Sequence, residues 1–88
     1  MVRKEVEVKN EKGLHLTPCG MIATTAQRFQ SEINIANSEM KVNAKSVMSL
    51  LTLAAYKGTK IIIEAKGIDE KEAVEEIVKL FENNFGEE

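Results

Sequence analysis

Residues 60–81 read KIIIEAKGIDEKEAVEEIVKLF, and the pattern changes halfway along. Residues 60–65 are dominated by β-branched side chains, which predicts a largely buried strand. Gly67 breaks it. Asp69 predicts the cap of a long amphipathic helix, with Glu72 at the reciprocal capping-box position. Ala73, Val74, Ile77, Val78, Phe81 and Phe85 form the helix's apolar side, and Gly86 predicts its stop.

Working outward, residues 2–8 alternate, with Val2, Lys4, Val6 and Val8 on one face of a strand. Residues 16–29 carry Cys19, Ile22, Ala26 and Phe29 along one helical stripe. Short extended runs at 33–36 and 40–43 flank Asn37–Ser38, which suits a tight hairpin with Asn at positive φ. Ser46 predicts the cap of a short helix from Val47, with Leu50 and Leu53 inward and Lys57–Gly58 closing the segment. The order is βαββαβα: an α+β open-faced β-sandwich, a four-stranded antiparallel sheet with its helices on one face. Residues 1–88 are expected to form a single domain.

Composition narrows the function. With 43% hydrophobic and 30% charged residues, the chain suits a soluble globular fold rather than disorder. A chain of this length buries about 60–65% of its unfolded surface, too little for a deep private active site. Function is therefore expected at the surface, with a partner completing the site. A net charge of −2 argues against direct nucleic-acid binding and against anionic lipid. One cysteine allows no internal disulfide, the N-terminus lacks a signal-peptide apolar run, and no stretch approaches the ~18–20 apolar residues of a membrane span. A cytoplasmic protein with no membrane insertion is the expectation.

Residues 13–20, GLHLTPCG, hold the only histidine, proline and cysteine. A structural zinc site wants about four Cys or His ligands, so no metal and no cofactor are expected. Cys19 falls on the inward stripe and reads as a small core hydrophobe. Gly13 permits a sharp turn before His15, and Pro18 sits in the first helical turn, where its missing N–H costs nothing. The backbone amides of Leu16 and Thr17 are then free at a helix N-terminus, a ready anion site. An imidazole beside such a mouth is well placed to carry a phosphoryl group, being nucleophilic near neutral pH.

With GLH at 13–15, Pro18, AKSVMSL at 44–50, the Lys57–Gly58 turn and the final amphipathic helix, the whole chain resembles the HPr family. These are the histidine-containing phosphocarriers of the bacterial phosphoenolpyruvate:sugar phosphotransferase system. The resemblance implies that His15 accepts a phosphoryl group on its δ nitrogen from enzyme I, itself charged by phosphoenolpyruvate. His15 then passes the group to the IIA components of sugar permeases. It further implies that Ser46 is a regulatory site for an HPr kinase/phosphorylase, the modified form serving a catabolite-control transcription regulator. Gly20, Met21 and Thr24, with Val47, Met48 and Leu51, are expected to face outward as the partner interface. Such a protein is a monomeric carrier and not an enzyme, since its partners supply most catalytic groups.

Thr17 departs from the family pattern, which has an arginine there. A threonine hydroxyl offers one neutral donor where a guanidinium offers a planar charged fork. Slower phosphotransfer is expected, and a regulatory binding module with weak phosphotransfer is the alternative reading. An unrelated βαββαβ module that binds RNA or carries a metal fits poorly. The three Phe and one Tyr lie mostly outside strands, and a second cysteine is missing.

Overall fold

A computed structural model describes residues 1–87; Glu88 lies outside the described residues. The elements run β1 (Val2–Glu7), α1 (Leu16–Ala26), β2 (Glu32–Ala36), β3 (Lys41–Asn43), α2 (Val47–Leu51), β4 (Lys60–Lys66) and α3 (Glu70–Glu82), then a single 3-10 turn over Asn84–Gly86. The sheet order is β1-β4-β2-β3, with every neighbouring pair antiparallel. The expected four-stranded open sheet with three helices is the fold observed.

β4 is central because it is the most apolar strand. Its register pairs Val2 with Ala65 and Val6 with Ile61 on one side, and Ile33 with Ala65 and Ile35 with Ile63 on the other. Ile33, Ile35, Ile61, Ile63 and Ala65 all point to the helix side and are buried. Each buried isoleucine contributes about 1.5–3 kcal/mol. α3 lies against β1 and β4, α1 packs beside α3, and α2 packs beside α1. Ile22, Leu50, Ile77 and Phe81 close the core from above. On the opposite face, Glu64 is nearly buried between Lys41 at 2.8 Å and Arg3 at 3.4 Å, which satisfies its charge.

Four local expectations are corrected. α1 ends at Ala26, so Phe29 lies past the helix and is only half-buried. The chain must turn there because the backbone N–H groups of Gln30 and Ser31 donate to the Asp69 carboxylate, both at 2.9 Å. The hairpin between β2 and β3 holds no residue at positive φ. Instead the Asn37 carboxamide oxygen accepts from the amides of Glu39 and Met40, both at 2.8 Å.

The capping box at α3 does not form. Asp69 is spent on the Gln30 and Ser31 amides just before β2, Glu72 is exposed, and Glu70 accepts from the Gly67 amide at 3.0 Å. Finally, α3 stops at Glu82, before Phe85. Asn84, Phe85 and Gly86 take φ values of 52°, 55° and 75°, and this left-handed run turns the chain back. Phe85 still reaches the core, its ring edge-on to Phe81 at 4.9 Å. No helix is long and apolar enough to cross a membrane among the described residues.

Candidate functional site

The loop from β1 into α1 is built around Gly13. Its φ is +66°, and a Cβ there would lie 2.5 Å from the Ala55 carbonyl oxygen. Only glycine allows both the turn and the close approach. The turn is pinned by the Leu14 amide donating to the Ala55 carbonyl at 2.9 Å and by the Asn10 carboxamide donating to the Gly13 carbonyl at 2.8 Å. Asn10 is fully buried.

This loop delivers His15 to the N-cap of α1 with extended backbone, φ −80° and ψ −171°. Its side chain makes no capping bond, so the imidazole is not consumed by the helix it precedes. Leu16 and Thr17 occupy the first two helical positions, where no preceding carbonyl is in reach. Pro18 follows with no N–H, and the first helical bond runs from the Cys19 amide to the His15 carbonyl at 3.2 Å. No acidic residue stands in the first turn. The mouth of α1 therefore presents two backbone donors at the positive end of the dipole, beside a part-exposed imidazole. Thr17 is exposed. Cys19 is fully buried, its thiol near the Leu14 carbonyl at 3.5 Å, and burial pushes that thiol's pKa up. It is a core residue, as its stripe position indicated.

Glu87 was not anticipated. Its Oε2 lies 2.6 Å from His15 Nε2, and its Oε1 accepts from the Asn10 carboxamide at 2.9 Å. The Asn10 bond holds the carboxyl below its usual pKa range, with further help from His15 and the charge of Lys12. An arrangement joining positions 10, 15 and 87 leaves no local signal. Phe85 spaced as a helical residue pointed the chain elsewhere.

The expected partner face is partly present. Thr17, Gly20, Met21 and Thr24 line a shallow groove with Thr25 and Leu80. Thr24 is exposed, while Gly20 and Met21 are half-buried and Met21 packs against the core. On α2, Met48 is 78% exposed and Leu51 37%, but Val47 is half-buried against the core, correcting its outward assignment. A five-residue helix sitting over a core has room for only a narrow outer face. Leu16, 63% exposed and considered only for its amide, and Tyr56, 72% exposed, are among the apolar side chains whose exposure has no signal in the sequence.

Ser46 is the N-cap of α2, its hydroxyl accepting from the Ser49 amide at 3.2 Å. α2 is tied to α1 because Gln27 donates to the Lys45 carbonyl at 3.0 Å and the Lys45 ammonium donates to the Phe29 carbonyl at 2.8 Å.

Comparison with known proteins identifies the family of this chain. Residues 2–83 match the family described as PTS HPr component phosphorylation site. The phosphocarrier protein HPr of Neisseria meningitidis is 39% identical over 87 residues, covering 99% of this chain and 98% of that protein. The HPr-like protein Crh of Halalkalibacterium halodurans is 44% identical over 82 residues, covering 93% and 98%. The crystal structure of HPr-C-His from Thermoanaerobacter tengcongensis superposes with a TM-score of 0.95 at 40% identity, covering 100% of this chain and 99% of that one. With its open sheet, its three helices and its histidine at the mouth of α1, the chain belongs to the HPr phosphocarrier family, non-catalytic carriers of the phosphotransferase system.

Proposed function

We propose that the protein accepts a phosphoryl group on His15 Nδ1 from enzyme I and passes it to sugar-specific IIA components. The observation that carries this reading is an imidazole at the N-cap of α1 that does not cap the helix, next to the open Leu16 and Thr17 amides. In the transfer the Nδ1 lone pair attacks phosphorus, the N–P bond forms, and the bond from phosphorus to its donor breaks. The phosphoryl oxygens lie on the two amides and the Thr17 hydroxyl. The exposed Leu16, Met48 and Leu51 form the adaptable apolar surface on which both partners dock in turn.

Incubation with enzyme I and labelled phosphoenolpyruvate tests this. The expected product carries acid-labile, base-stable label that His15→Ala removes. No label at high enzyme I overturns the reading.

A second reading is favoured by the similarity to the HPr-like protein Crh. Here Ser46 is the principal switch, phosphorylated by an ATP-dependent HPr kinase/phosphorylase, and the modified chain docks on a catabolite-control transcription regulator. Ser46 opens α2 close to the exposed Met48, so added negative charge there would change the docking surface. Incubation with that kinase and ATP is expected to label Ser46 and not Ser46→Ala. Absence of label removes this reading.

A further inference from the structure

We propose that Glu87, held by Asn10, is a positioning residue for His15: its carboxylate fixes the ring proton on Nε2 and thereby leaves the Nδ1 lone pair as the nucleophile. This rests on the reading of His15 as the phosphoryl acceptor.

The Asn10 carboxamide is a donor to both the Gly13 carbonyl at 2.8 Å and Glu87 Oε1 at 2.9 Å. One buried side chain thus ties the histidine loop to the carboxylate that faces the ring. A carboxylate receiving that donor is ionised at neutral pH, and an ionised carboxylate only accepts hydrogen bonds. Its 2.6 Å contact with Nε2 therefore requires a proton on Nε2. In the neutral ring the other nitrogen is then bare, and Nδ1 has no partner among the described residues. The histidine is 32% exposed and the glutamate 24%, so the contact is sheltered while the ring stays reachable.

The same contact serves the transfer step. When Nδ1 takes the phosphoryl group, its lone pair becomes the N–P bond and the ring gains positive charge, with the proton still on Nε2. Glu87 faces that N–H and offsets the charge as it appears. No proton has to move, and no other group has to arrive. This support sits on the ring and not on the phosphoryl oxygens, the side where Thr17 leaves the site without a guanidinium. The left-handed turn at Asn84–Gly86 brings Glu87 back to the site, and Phe85 anchors that turn in the core.

The test has two arms. In the unphosphorylated protein, ring nitrogen NMR of His15 is recorded at a pH where the spectrum shows a neutral ring. The wild type is expected to show Nε2 protonated and Nδ1 bare, with an Nε2–H signal slow to exchange. Glu87→Ala is expected to lose that slow signal and move toward the tautomer ratio of a free histidine peptide. Glu87→Gln, matched in size but uncharged, is expected to fall between them. Ring resonances identical in wild type and Glu87→Ala overturn the proposal.

In the second arm, single-turnover phosphorylation by enzyme I is expected to slow about ten-fold in Glu87→Ala with KM for enzyme I unchanged. A shifted tautomer with an unchanged rate overturns the role in transfer. If wild type takes no label while the tautomer responds to Glu87, it is the phosphocarrier reading that fails, and the positioning contact stands.

Discussion

The starts of α1 and α3 are the same backbone feature used in opposite ways. At α1 the first turn has no acid, the N-cap side chain makes no bond to the helix, and a proline removes one donor without filling the others. At α3 the first turn carries Glu70 and Glu72. Glu70 accepts from the Gly67 amide, and Asp69 ties the Gln30 and Ser31 amides of the segment before β2. Both have the free donors and positive dipole end of any helix start. One is flanked by the chain's own carboxylates, which complement its dipole and tie the segment before β2 to the helix. The other is left open to an outside anion. A helix start is thus structural or functional according to which side chains flank it.

The largest expected effect at α1 comes from His15→Ala. It should abolish labelling by enzyme I while lowering the melting temperature only slightly, because the side chain caps nothing and its contact with Glu87 is part-exposed. A large fall in thermal stability would show that α1 depends on it after all. Next is Gly13→Ala. The added Cβ meets the Ala55 carbonyl at a positive φ, so a loss of about 1–3 kcal/mol in denaturant unfolding is expected, with transfer impaired because the loop must shift.

Thr17→Arg sharpens the open character of α1 by adding the charged fork. Transfer from enzyme I should rise about ten-fold, the worth of one charge-assisted phosphate contact. An unchanged rate would show that the amides and Glu87 already suffice.

At α3 the expected effect is on stability alone. The Ser31 hydroxyl and the Gln30 amide hold the Asp69 carboxyl below its usual range. A carboxyl with a lowered folded pKa adds stability above its unfolded value, about 3.9, and loses it as pH falls through the folded value. Asp69→Ala should therefore melt several degrees below wild type at neutral pH, with unchanged labelling of His15. That gap should close as pH is lowered below about 4. A gap independent of pH would show that the carboxylate charge is not what joins α3 to the segment before β2.

Local patterns in the chain carry most of the fold. A period-two run marks β1, the stripe of Cys19, Ile22 and Ala26 marks α1, and three isoleucines in a row mark the buried strand that proves central. GLH at 13–15 with Pro18 marked an open helix mouth, because glycine, helix start and proline act within a few residues of each other. Where prediction missed, a distant partner had claimed the local group. Asp69 looked like a cap by its neighbours, but the amides of Gln30 and Ser31 take its carboxylate. Val47 and Met21 looked outward by helical angle, but short helices resting on a full core bury their flanks.

The order of elements, the apolar faces, the helix start after His15 and the threonine at position 17 are all legible in the chain. These depend on residues within one or two turns of each other. Only the folded chain shows that Glu87 and Asn10 belong to the histidine site and that the Leu16 side chain stands exposed beside it. A hydrogen bond between residues far apart in the chain has no sequence period. It exists only because the core anchors Phe85 and Gly13 turns against Ala55, bringing both ends of the bond to one place.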